Sequence, residues 1–378
     1  MQESAAVAFH AAQEPGAWAC ENKSVKTLRL PVDVERLHTE ENSEALDRAA
    51  AILRAGGLVA LPTETVYGLG ANAFDQAAVK RIFAAKARPA WDPVIVHVAS
   101  EAMLDELVCD VSARARLLIK QFWPGPLTLL LPRAASVPDC VTAGRPLVGV
   151  RMPAHPVAIE LIRRAGVPVA APSANRFGHT SPTTAAHVLD DLDGRIDVVL
   201  DAGPTVCGVE STVLDPAGEP MTIYRPGAAT AEAICAAAGA VAIFQSSEPL
   251  RKMPVEALPS PGVGLRHYAP RARLVLIEGL DATTPLAAIE SAMATAARQE
   301  ANELVGAMLP DGVTAPALAA AKRVFPWGRW DAPEELAARL YSGLRALDAA
   351  GCTAILCPLP AAGGLGAALH DRLRKAAR

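Results

Sequence analysis

LPTETVYGLG, Leu61 to Gly70, is the stretch from which we read the fold of this chain. It begins as an apolar strand, becomes polar at Thr63, Glu64 and Thr65, and ends with two glycines in three residues. Taken alone, this pattern is typical of a strand end whose threonine and glutamate face water. The glycines can adopt the positive φ that a following turn needs. The alternative is that the strand end lines a polar binding site, and the rest of the chain must decide between the two.

The composition predicts a well-buried globular protein. The chain has 378 residues, of which 51% are hydrophobic and only 4% aromatic, so alanine, valine and leucine must build most of the core. This length is sufficient for two domains. The formal net charge of -4 provides no general attraction to nucleic acid, so any RNA contact would need a local basic patch.

The sequence favours a cytoplasmic protein with no membrane association. No apolar run is long enough to span a bilayer, and the first residues lack the basic start of a signal peptide. The seven cysteines are scattered, never spaced C-x-x-C, and lack a neighbouring histidine cluster. This fits a reducing compartment, and we expect no zinc site.

The alternation of apolar runs and helical patterns predicts an α/β fold in two domains. We expect a flexible N-terminal extension over 1–30 and a mixed α/β domain over 31–240. A stretch rich in proline, serine and glycine then predicts a linker or lid over 241–270. Strands and helices alternate regularly over 271–378, which favours a smaller domain built on a parallel sheet.

Four cationic residues of the first domain are difficult to explain by packing alone. Lys86 and Arg88 stand two apart at a predicted helix end, where they are either a solvated basic terminus or an anion clamp. Arg151 and Arg225 each end an apolar strand and precede a proline or a methionine-proline pair. A guanidinium at a buried strand end must find an anion or reach water. Two such arginines make a shared anionic ligand more plausible than either arginine would alone.

Other polar residues leave both interpretations open. His97 lies within the apolar run PVIVHVAS, where a histidine is more often a satisfied core residue than a functional one. APSAN, Ala171 to Asn175, and GVEST, Gly208 to Thr212, are either ordinary turns or cradles for a polar ligand. The predicted linker carries His267 and Tyr268, an arrangement that favours a lid docked on something.

Taken in order, these motifs resemble one known family. PTETVYGLGANAF, KARP, PVIVHV, WPGPLTLLLP, VRMPAHP, APSAN, GVESTV and RPG are similar to the YrdC-like domain of the threonylcarbamoyl-adenylate synthase family. RHYAP and GLGAALHDRLRKAA resemble the longer, two-domain members of that family. Each motif is weak by itself, whereas the ordered series is specific and covers nearly the whole chain from about residue 45.

The resemblance implies a fold and a reaction. The fold is a YrdC-like twisted mixed sheet around a central cavity, plus a smaller Rossmann-like C-terminal α/β domain. The reaction converts L-threonine, bicarbonate or carbon dioxide, and ATP into threonylcarbamoyl-AMP and pyrophosphate, as a nucleotidyltransferase does. Other proteins would then transfer the product to the tRNA adenosine beside the anticodon. The alternative function is a double-stranded RNA or tRNA-binding module without catalysis. A carbamoyl transferase of the hydrogenase-maturation type is not expected, because this chain lacks its acylphosphatase-like and zinc-finger segments.

The resemblance also implies roles for individual residues. The residues expected to bind threonine are Thr65, His97, Arg151, Ala171 and Ser211. The residues expected around ATP are Lys86, Arg88, Asp92, Ser173, Asn175, Ser181, Arg225, His267 and Tyr268. Of these, Lys86 and Arg88 would be catalytic through their charge. Mg²⁺ is expected with ATP, held mainly by phosphate oxygens rather than by a protein carboxylate cage. A weak direct tRNA contact is also compatible with the family.

Overall fold

The computed structural model describes residues 26–244, 267–281, 283–300, 302–316 and 323–378. The expected extension and linker therefore lie partly outside the described residues. Within the described ranges, none of the helices is both long enough and apolar enough to cross a membrane.

One large sheet organises the part of the chain before residue 245. Its strands are β1 (Leu28–Pro31), β2 (Val59–Leu61), β3 (Gly68–Asn72), β4 (Ile95–His97), β5 (Leu127–Pro132), β6 (Leu147–Arg151), β7 (Val169–Ala170), β8 (Val198–Asp201), β9 (Thr212–Asp215), β10 (Met221–Arg225) and β11 (Val241–Ile243). Their order is β1-β8-β2-β3-β7-β4-β6-β5-β9-β10-β11, and parallel and antiparallel pairs are mixed. The expected mixed sheet is confirmed.

Eight helices pack against this sheet. They are α1 (Glu40–Arg54), α2 (Gln76–Lys86), α3 (Glu101–Asp105), α4 (Ala113–Phe122), α5 (Asp139–Thr142), α6 (Pro156–Ala165), α7 (Ala185–Leu192) and α8 (Ala231–Ala238), with a 3-10 turn at Val34–Arg36. Two separate apolar clusters form the core of this part: one contains α2, the other α1 and α6. Strands β4 and β6, for example, are parallel, and their polar last residues, His97 and Arg151, lie side by side.

Helix α2 positions the first two cations of the predicted site. It begins at Asp75, whose side chain accepts hydrogen bonds from the backbone N–H groups of Ala77 and Ala78. It ends where Ala87 adopts a left-handed conformation with φ of 52°. This reversal turns the chain directly after Lys86, so Lys86 and Arg88 both become buried. A solvated basic helix end, which the sequence left open, is therefore excluded.

The second part of the chain forms a four-stranded, all-parallel sheet. Its strands β12 (Arg273–Ile277), β13 (Val305–Pro310), β14 (Val324–Gly328) and β15 (Ala354–Pro358) lie in the order β12-β15-β13-β14. The helices are α9 (Leu286–Gln299), α10 (Pro333–Ala349) and α11 (Gly366–Ala376). Parallel strands with covering helices give this part its own core, and the expected Rossmann-like architecture is confirmed.

Two of the expected boundaries need correction. Residues 28–30 belong to β1, which pairs in parallel with β8, so they are not part of a flexible extension. Residues 241–243 form β11, which pairs in parallel with β10, so the linker does not begin at residue 241. Strand β1 gains its backbone hydrogen bonds from a strand distant in sequence, and β11 gains them from β10, the strand that precedes it across helix α8. Both segments are short, and their composition does not reveal the pairing.

The two parts pack directly against each other at Gly208. This glycine has a φ of 69°, and a Cβ atom built on it would lie 2.3 Å from the carbonyl oxygen of Ala337 and 2.4 Å from the Cα of Ala338, both in helix α10. No side chain fits in that space. Helix α10 therefore contacts the backbone of the first domain at the segment that leads into β9.

We predict that Gly208→Ala lowers the free energy of unfolding by about 2–4 kcal/mol, because the new methyl group collides with rigid helix backbone. Gly144→Ala is the matched control, since Gly144 has a φ of 77° with no heavy atom within 4 Å of its virtual Cβ. This control should cost about 1 kcal/mol from backbone strain alone. Urea denaturation measures both, and equal losses would contradict a tight approach of α10.

Candidate active site

A cavity opens at the edge of the large sheet where several strands end. Strands β4 and β6 are parallel, and His97 and Arg151, their last residues, are register partners. The pairing of β6 with β5, β5 with β9, and β9 with β10 makes β10 parallel to β6 as well. Arg225, the last residue of β10, therefore lies at the same edge. Thr63 and Thr65 line this cavity, so the polar strand end after Leu61 does not simply face water.

Ten of the fourteen residues predicted for the site line this cavity. They are Thr65, Arg88, His97, Arg151, Ala171, Ser173, Ser211, Arg225, His267 and Tyr268. The other four, Lys86, Asp92, Asn175 and Ser181, are buried behind its wall. The chain thus brings the predicted residues together from six strand ends and from the segment after residue 266, although their individual roles remain predictions.

Lys86 supports the cavity wall instead of facing the cavity. Its ammonium group donates hydrogen bonds to the carbonyl oxygens of Ser173 and Asn175, in the loop that follows β7. Burial, reinforced by the positive charge of Arg88, holds the pKa of Lys86 well below its usual value. The expected direct clamp on a phosphate is therefore not the arrangement seen, and Lys86 instead fixes the position of the loop that carries Ser173.

Arg88 lines the cavity and is held from behind by Asp92. Its Nη2 lies 3.0 Å from Asp92 Oδ2, and it also donates to the carbonyl oxygens of Asp92 at 3.1 Å and Pro93 at 2.6 Å. Both side chains are buried. This pair explains why Asp92 belongs near the site without lining it. The carboxylate orients the guanidinium and offsets the cost of burying its charge.

Arg151, at the end of β6, is likewise held by a carboxylate and by further hydrogen bonds. Its Nη2 lies 2.6 Å from Glu64 Oε1, its Nη1 donates to Thr65 Oγ1 at 3.0 Å, and its Nε donates to the carbonyl oxygen of Gly125 at 3.0 Å. The segment Thr63 to Thr65 is thus a support for Arg151. Sequence reasoning placed Glu64 at this turn but did not identify it as the partner of an arginine.

Arg225 differs from the other two arginines of the cavity. Its Nε donates to the carbonyl oxygen of Ser211 at 3.0 Å and its Nη2 to Ser211 Oγ at 3.1 Å. Ser211 Oγ in turn lies 2.8 Å from Thr128 Oγ1. Among the residues that the structure describes, no carboxylate oxygen lies within 4.0 Å of the Arg225 guanidinium. Its buried positive charge is therefore available to an anionic ligand.

His97 is neutral in the folded protein. Burial, together with the positive charge of Arg151, lowers its pKa to about 3. Its Nδ1 is buried and has no hydrogen-bond partner among the described residues. A buried polar atom without a partner in a cavity wall is a natural contact point for a polar ligand. A neutral imidazole can donate or accept one hydrogen bond there without adding charge.

Sequence reasoning left Glu210 open, as part of the GVEST segment, and missed its two partners in the second domain. Glu210 lines the cavity and pairs with Arg372 of helix α11, while Tyr341 of α10 donates to its two carboxylate oxygens at 3.1 Å. One local signal existed, because Leu369, Arg372, Leu373 and Ala376 share one face of a helix. That spacing places Arg372 on the buried face, although it does not reveal the partner.

The arrangement is suited to binding anions close together. Arg88, after helix α2, and Arg151 and Arg225, at the ends of β6 and β10, reach one cavity, and the described residues that line it contain no Ser-His-Asp triad or activated cysteine. Such a site can position two negatively charged reactants and stabilise charge that spreads over phosphate oxygens in a transition state.

Comparisons with known proteins agree with this geometry. Residues 51–227 match a family described as telomere recombination, and residues 229–378 match the threonylcarbamoyl-AMP synthase C-terminal domain. The threonylcarbamoyl-AMP synthase of Pyrococcus abyssi is 42% identical over 332 residues, which cover 87% of this chain and 92% of that protein. The enzyme of the same name from Bacillus subtilis is 41% identical over 355 residues, covering 93% and 98%.

A solved structure extends the likeness to three dimensions. The crystal structure of Pyrococcus abyssi Sua5 complexed with L-threonine has a TM-score of 0.82 with this chain at 40% identity. The match covers 93% of this chain and 98% of that one. Both parts of the fold are therefore shared with a protein that has been crystallised with an amino acid bound.

The low pKa of His97 predicts a specific pH dependence of stability. In the unfolded chain this residue takes up a proton near pH 6.5, whereas in the folded protein it stays neutral down to about pH 3. Between these values the unfolded state binds one more proton, so stability must fall as the pH falls, by about 1.4 kcal/mol per pH unit. We expect His97→Gln to lose this contribution between pH 6 and pH 4.

Urea denaturation at several pH values measures the effect as the difference between wild type and His97→Gln. His38→Gln is the control, because His38 lies exposed on the surface. If the free energy of unfolding of His97→Gln changed with pH as steeply as that of wild type, the imidazole would be charged in the folded protein and the prediction would be wrong.

Proposed function

The chain belongs to the threonylcarbamoyl-AMP synthase family, and on that premise we propose how its cavity forms threonylcarbamoyl-AMP from L-threonine, bicarbonate and ATP. The names of the relatives favour this synthesis over the double-stranded RNA or tRNA-binding alternative. The reaction would place the enzyme among the nucleotidyltransferases, since it transfers an adenylyl group and releases pyrophosphate.

One observation carries the proposal. Arg88, Arg151 and Arg225 come from distant parts of the sequence, are all buried, and line the same cavity. Burying three guanidinium groups together costs free energy unless negative charge compensates for them. Only two of them have a carboxylate partner among the described residues, so a bound anion is the natural complement of the third.

We assign the threonine half of the cavity to the side near β2, β4 and β6. Arg151 would bind the threonine carboxylate, since a guanidinium can form two parallel hydrogen bonds with it. The unpartnered Nδ1 of His97 and the hydroxyl of Thr65 would contact the polar groups of the amino acid. Ala171 and Ser211 complete this pocket in the proposal, with Ala171 leaving room for the threonine methyl group.

We assign the nucleotide half to the side near Arg88 and Arg225. Arg88 and Arg225 would contact phosphate oxygens, and Ser173 would contact the nucleotide from the loop that Lys86 fixes. His267 and Tyr268 pack edge to face, with ring centroids 4.3 Å apart, and would cover the nucleotide. Asp92, Asn175 and Ser181 would act through the residues they support, since they lie behind the wall.

The proposed chemistry needs positioning and charge stabilisation. The threonine amine, in its neutral form, attacks the carbon of bicarbonate or carbon dioxide and becomes a carbamate. With bicarbonate, water leaves; with carbon dioxide, the nitrogen releases a proton to solvent. A carbamate oxygen then attacks the α-phosphorus of ATP, the bond to the bridging oxygen breaks, and pyrophosphate leaves with the electron pair. Negative charge shifts onto the leaving pyrophosphate, where the guanidinium groups of Arg88 and Arg225 stabilise it.

We also propose that Mg²⁺ binds together with ATP. Glu64, Asp92 and Glu210, the carboxylates in or against the cavity wall, each pair with an arginine. No group of three His, Cys, Asp or Glu side chains in the described ranges could hold a metal ion. These residues fit an ion that the phosphate oxygens bring with them, and when bound it would neutralise part of the triphosphate charge. We also propose that separate tRNA-modifying transferases use the product, with any direct tRNA contact being weak.

The activity predicts a strict dependence on both small substrates. Purified protein with ATP and Mg²⁺ should release pyrophosphate only when L-threonine and bicarbonate are both present, because the attacking carbamate forms only then. A coupled pyrophosphate assay with each substrate omitted in turn measures this. Pyrophosphate release at the same rate without threonine would reject the proposed function.

The role of Arg151 can be measured by binding alone. Arg151→Ala should weaken threonine binding by roughly 2–3 kcal/mol, because a charge-assisted pair with the carboxylate is lost. Isothermal titration calorimetry with L-threonine gives the affinity. Arg163→Ala serves as the control, since Arg163 is an arginine of helix α6 whose side chain is 68% exposed. Equal threonine affinity in wild type and Arg151→Ala would remove Arg151 from the threonine site.

A further inference from the structure

The second domain contributes two side chains to the back of the cavity. Arg372 and Tyr341 lie on different helices of that domain, and both are buried completely. Both reach Glu210 of the first domain, with Arg372 Nε donating to Glu210 Oε2 at 2.7 Å. Glu210 itself lines the cavity that we assign to substrate binding. A residue more than 160 positions later in the chain thus holds a carboxylate of the proposed active site.

The position of Glu210 poses an electrostatic problem. A buried carboxylate beside a triphosphate would repel it strongly, because two like charges interact over a short distance in a medium of low dielectric constant. Burial alone would raise the pKa of Glu210, but the charges of Arg372 and Arg225 and the hydrogen bond from Ser181 lower it to about 2. Glu210 is therefore ionised at neutral pH, and its charge has to be compensated.

Arg372 is oriented for this task by several contacts. Its Nη1 donates to the carbonyl oxygen of Pro226 at 2.8 Å and to Asp371 Oδ2 at 2.6 Å. Its guanidinium carbon lies 5.0 Å from the centre of the Tyr268 ring. Among the described residues, it is the only cation within 4.0 Å of a Glu210 carboxylate oxygen. The same guanidinium thus contacts the carboxylate at the back of the cavity and the aromatic ring that lines it.

We propose that the second domain supplies Arg372 as the counter-ion of Glu210, so that the cavity can accept an anionic nucleotide. This inference rests on the proposed function, because it takes the nucleotide to be the ligand beside Glu210. Arg372 is a positioning residue in this view, since it acts through Glu210. The second domain would then determine the nucleotide affinity of the first domain, in addition to packing against it.

The competing explanation is that Arg372 has a purely structural role. A second ion pair between the domains allows the two explanations to be distinguished. Arg345 of helix α10 lies 2.7 Å from Asp191 Oδ2 and donates to the carbonyl oxygen of Thr180 at 2.6 Å. None of these three residues lines the cavity. If Arg372 only joined the domains, Arg372→Met and Arg345→Met should change the nucleotide affinity of the folded protein to a similar extent.

The test measures the affinity of the full chain for a non-hydrolysable ATP analogue with Mg²⁺ by calorimetry. Arg372→Met should weaken this affinity by about tenfold or more, because it leaves an uncompensated negative charge in the cavity. Arg345→Met should stay within about twofold of wild type even if it unfolds at a lower temperature. An equal loss of affinity in both variants, or none in Arg372→Met, would overturn the inference.

A double-mutant comparison keeps the test decisive if Arg372→Met does not fold. Glu210→Gln and the double variant Glu210→Gln/Arg372→Met both lack the Glu210 charge, so the proposed counter-ion contact is already lost in the single variant, and the further loss of Arg372 should change nothing that depends on that charge. Their affinities for the ATP analogue should agree within about twofold. A loss of about tenfold in the double variant would show that Arg372 acts independently of Glu210 and would overturn the proposal.

The outcome also distinguishes this inference from the proposed function. Wild-type protein that binds the ATP analogue but shows no threonine-dependent pyrophosphate release would reject the function and leave the counter-ion question measurable. Wild-type protein that shows the activity, with an unchanged analogue affinity in Arg372→Met, would reject the inference alone.

Discussion

The cost of burying arginine side chains is the constraint on which this structure depends. Guanidinium groups remain charged in proteins, so each one taken out of water needs acceptors or an opposite charge. Arg88 finds Asp92, Arg151 finds Glu64, and Arg372 finds Glu210, each at 3.0 Å or less. The turn at Glu64, the reversal after α2 and the docking of α11 all serve these pairs. The cavity exists because the sheet ends where these pairs meet, and Arg225 remains without a carboxylate in the described part of the chain.

Most of the architecture could be predicted because it follows from local periodicity. Strand β5 coincides with the apolar run LTLLLP, and helix α9 coincides with the helical pattern of LAAIESAMATAARQ. The elements that were not predicted have weak local signals. Strand β14, VFPWG, contains a proline and lies at the edge of its sheet, where the missing N–H group is tolerated. Strands β1 and β11 are short, and only their partners β8 and β10 make them strands.

Part of the site could also be predicted, again because some of its residues stand out in the local sequence pattern. A charged residue that ends an apolar strand stands out in a sequence, so Arg151 and Arg225 could be singled out, whereas Thr65 and His97 were named only from the resemblance to the family. Which way a side chain points could not be deduced. Lys86 turns to two backbone carbonyl groups of its own domain, and Glu210 is held by residues of a different domain. Contacts over such sequence separations leave no trace in local spacing, and the resemblance to a family cannot supply them residue by residue.

The pairing of charges around the cavity also determines how a ligand finds it. Three arginine–carboxylate pairs cancel, and the lowered pKa of Lys86 disfavours its charged form. Among the described residues of this region, Arg225 alone keeps an uncompensated charge, on a chain whose formal net charge is -4. Such a site produces little long-range attraction, so capture of a nucleotide depends on collisions and close fit rather than on steering. The speed of association should then be nearly indifferent to ionic strength, while discrimination between ligands arises only after contact.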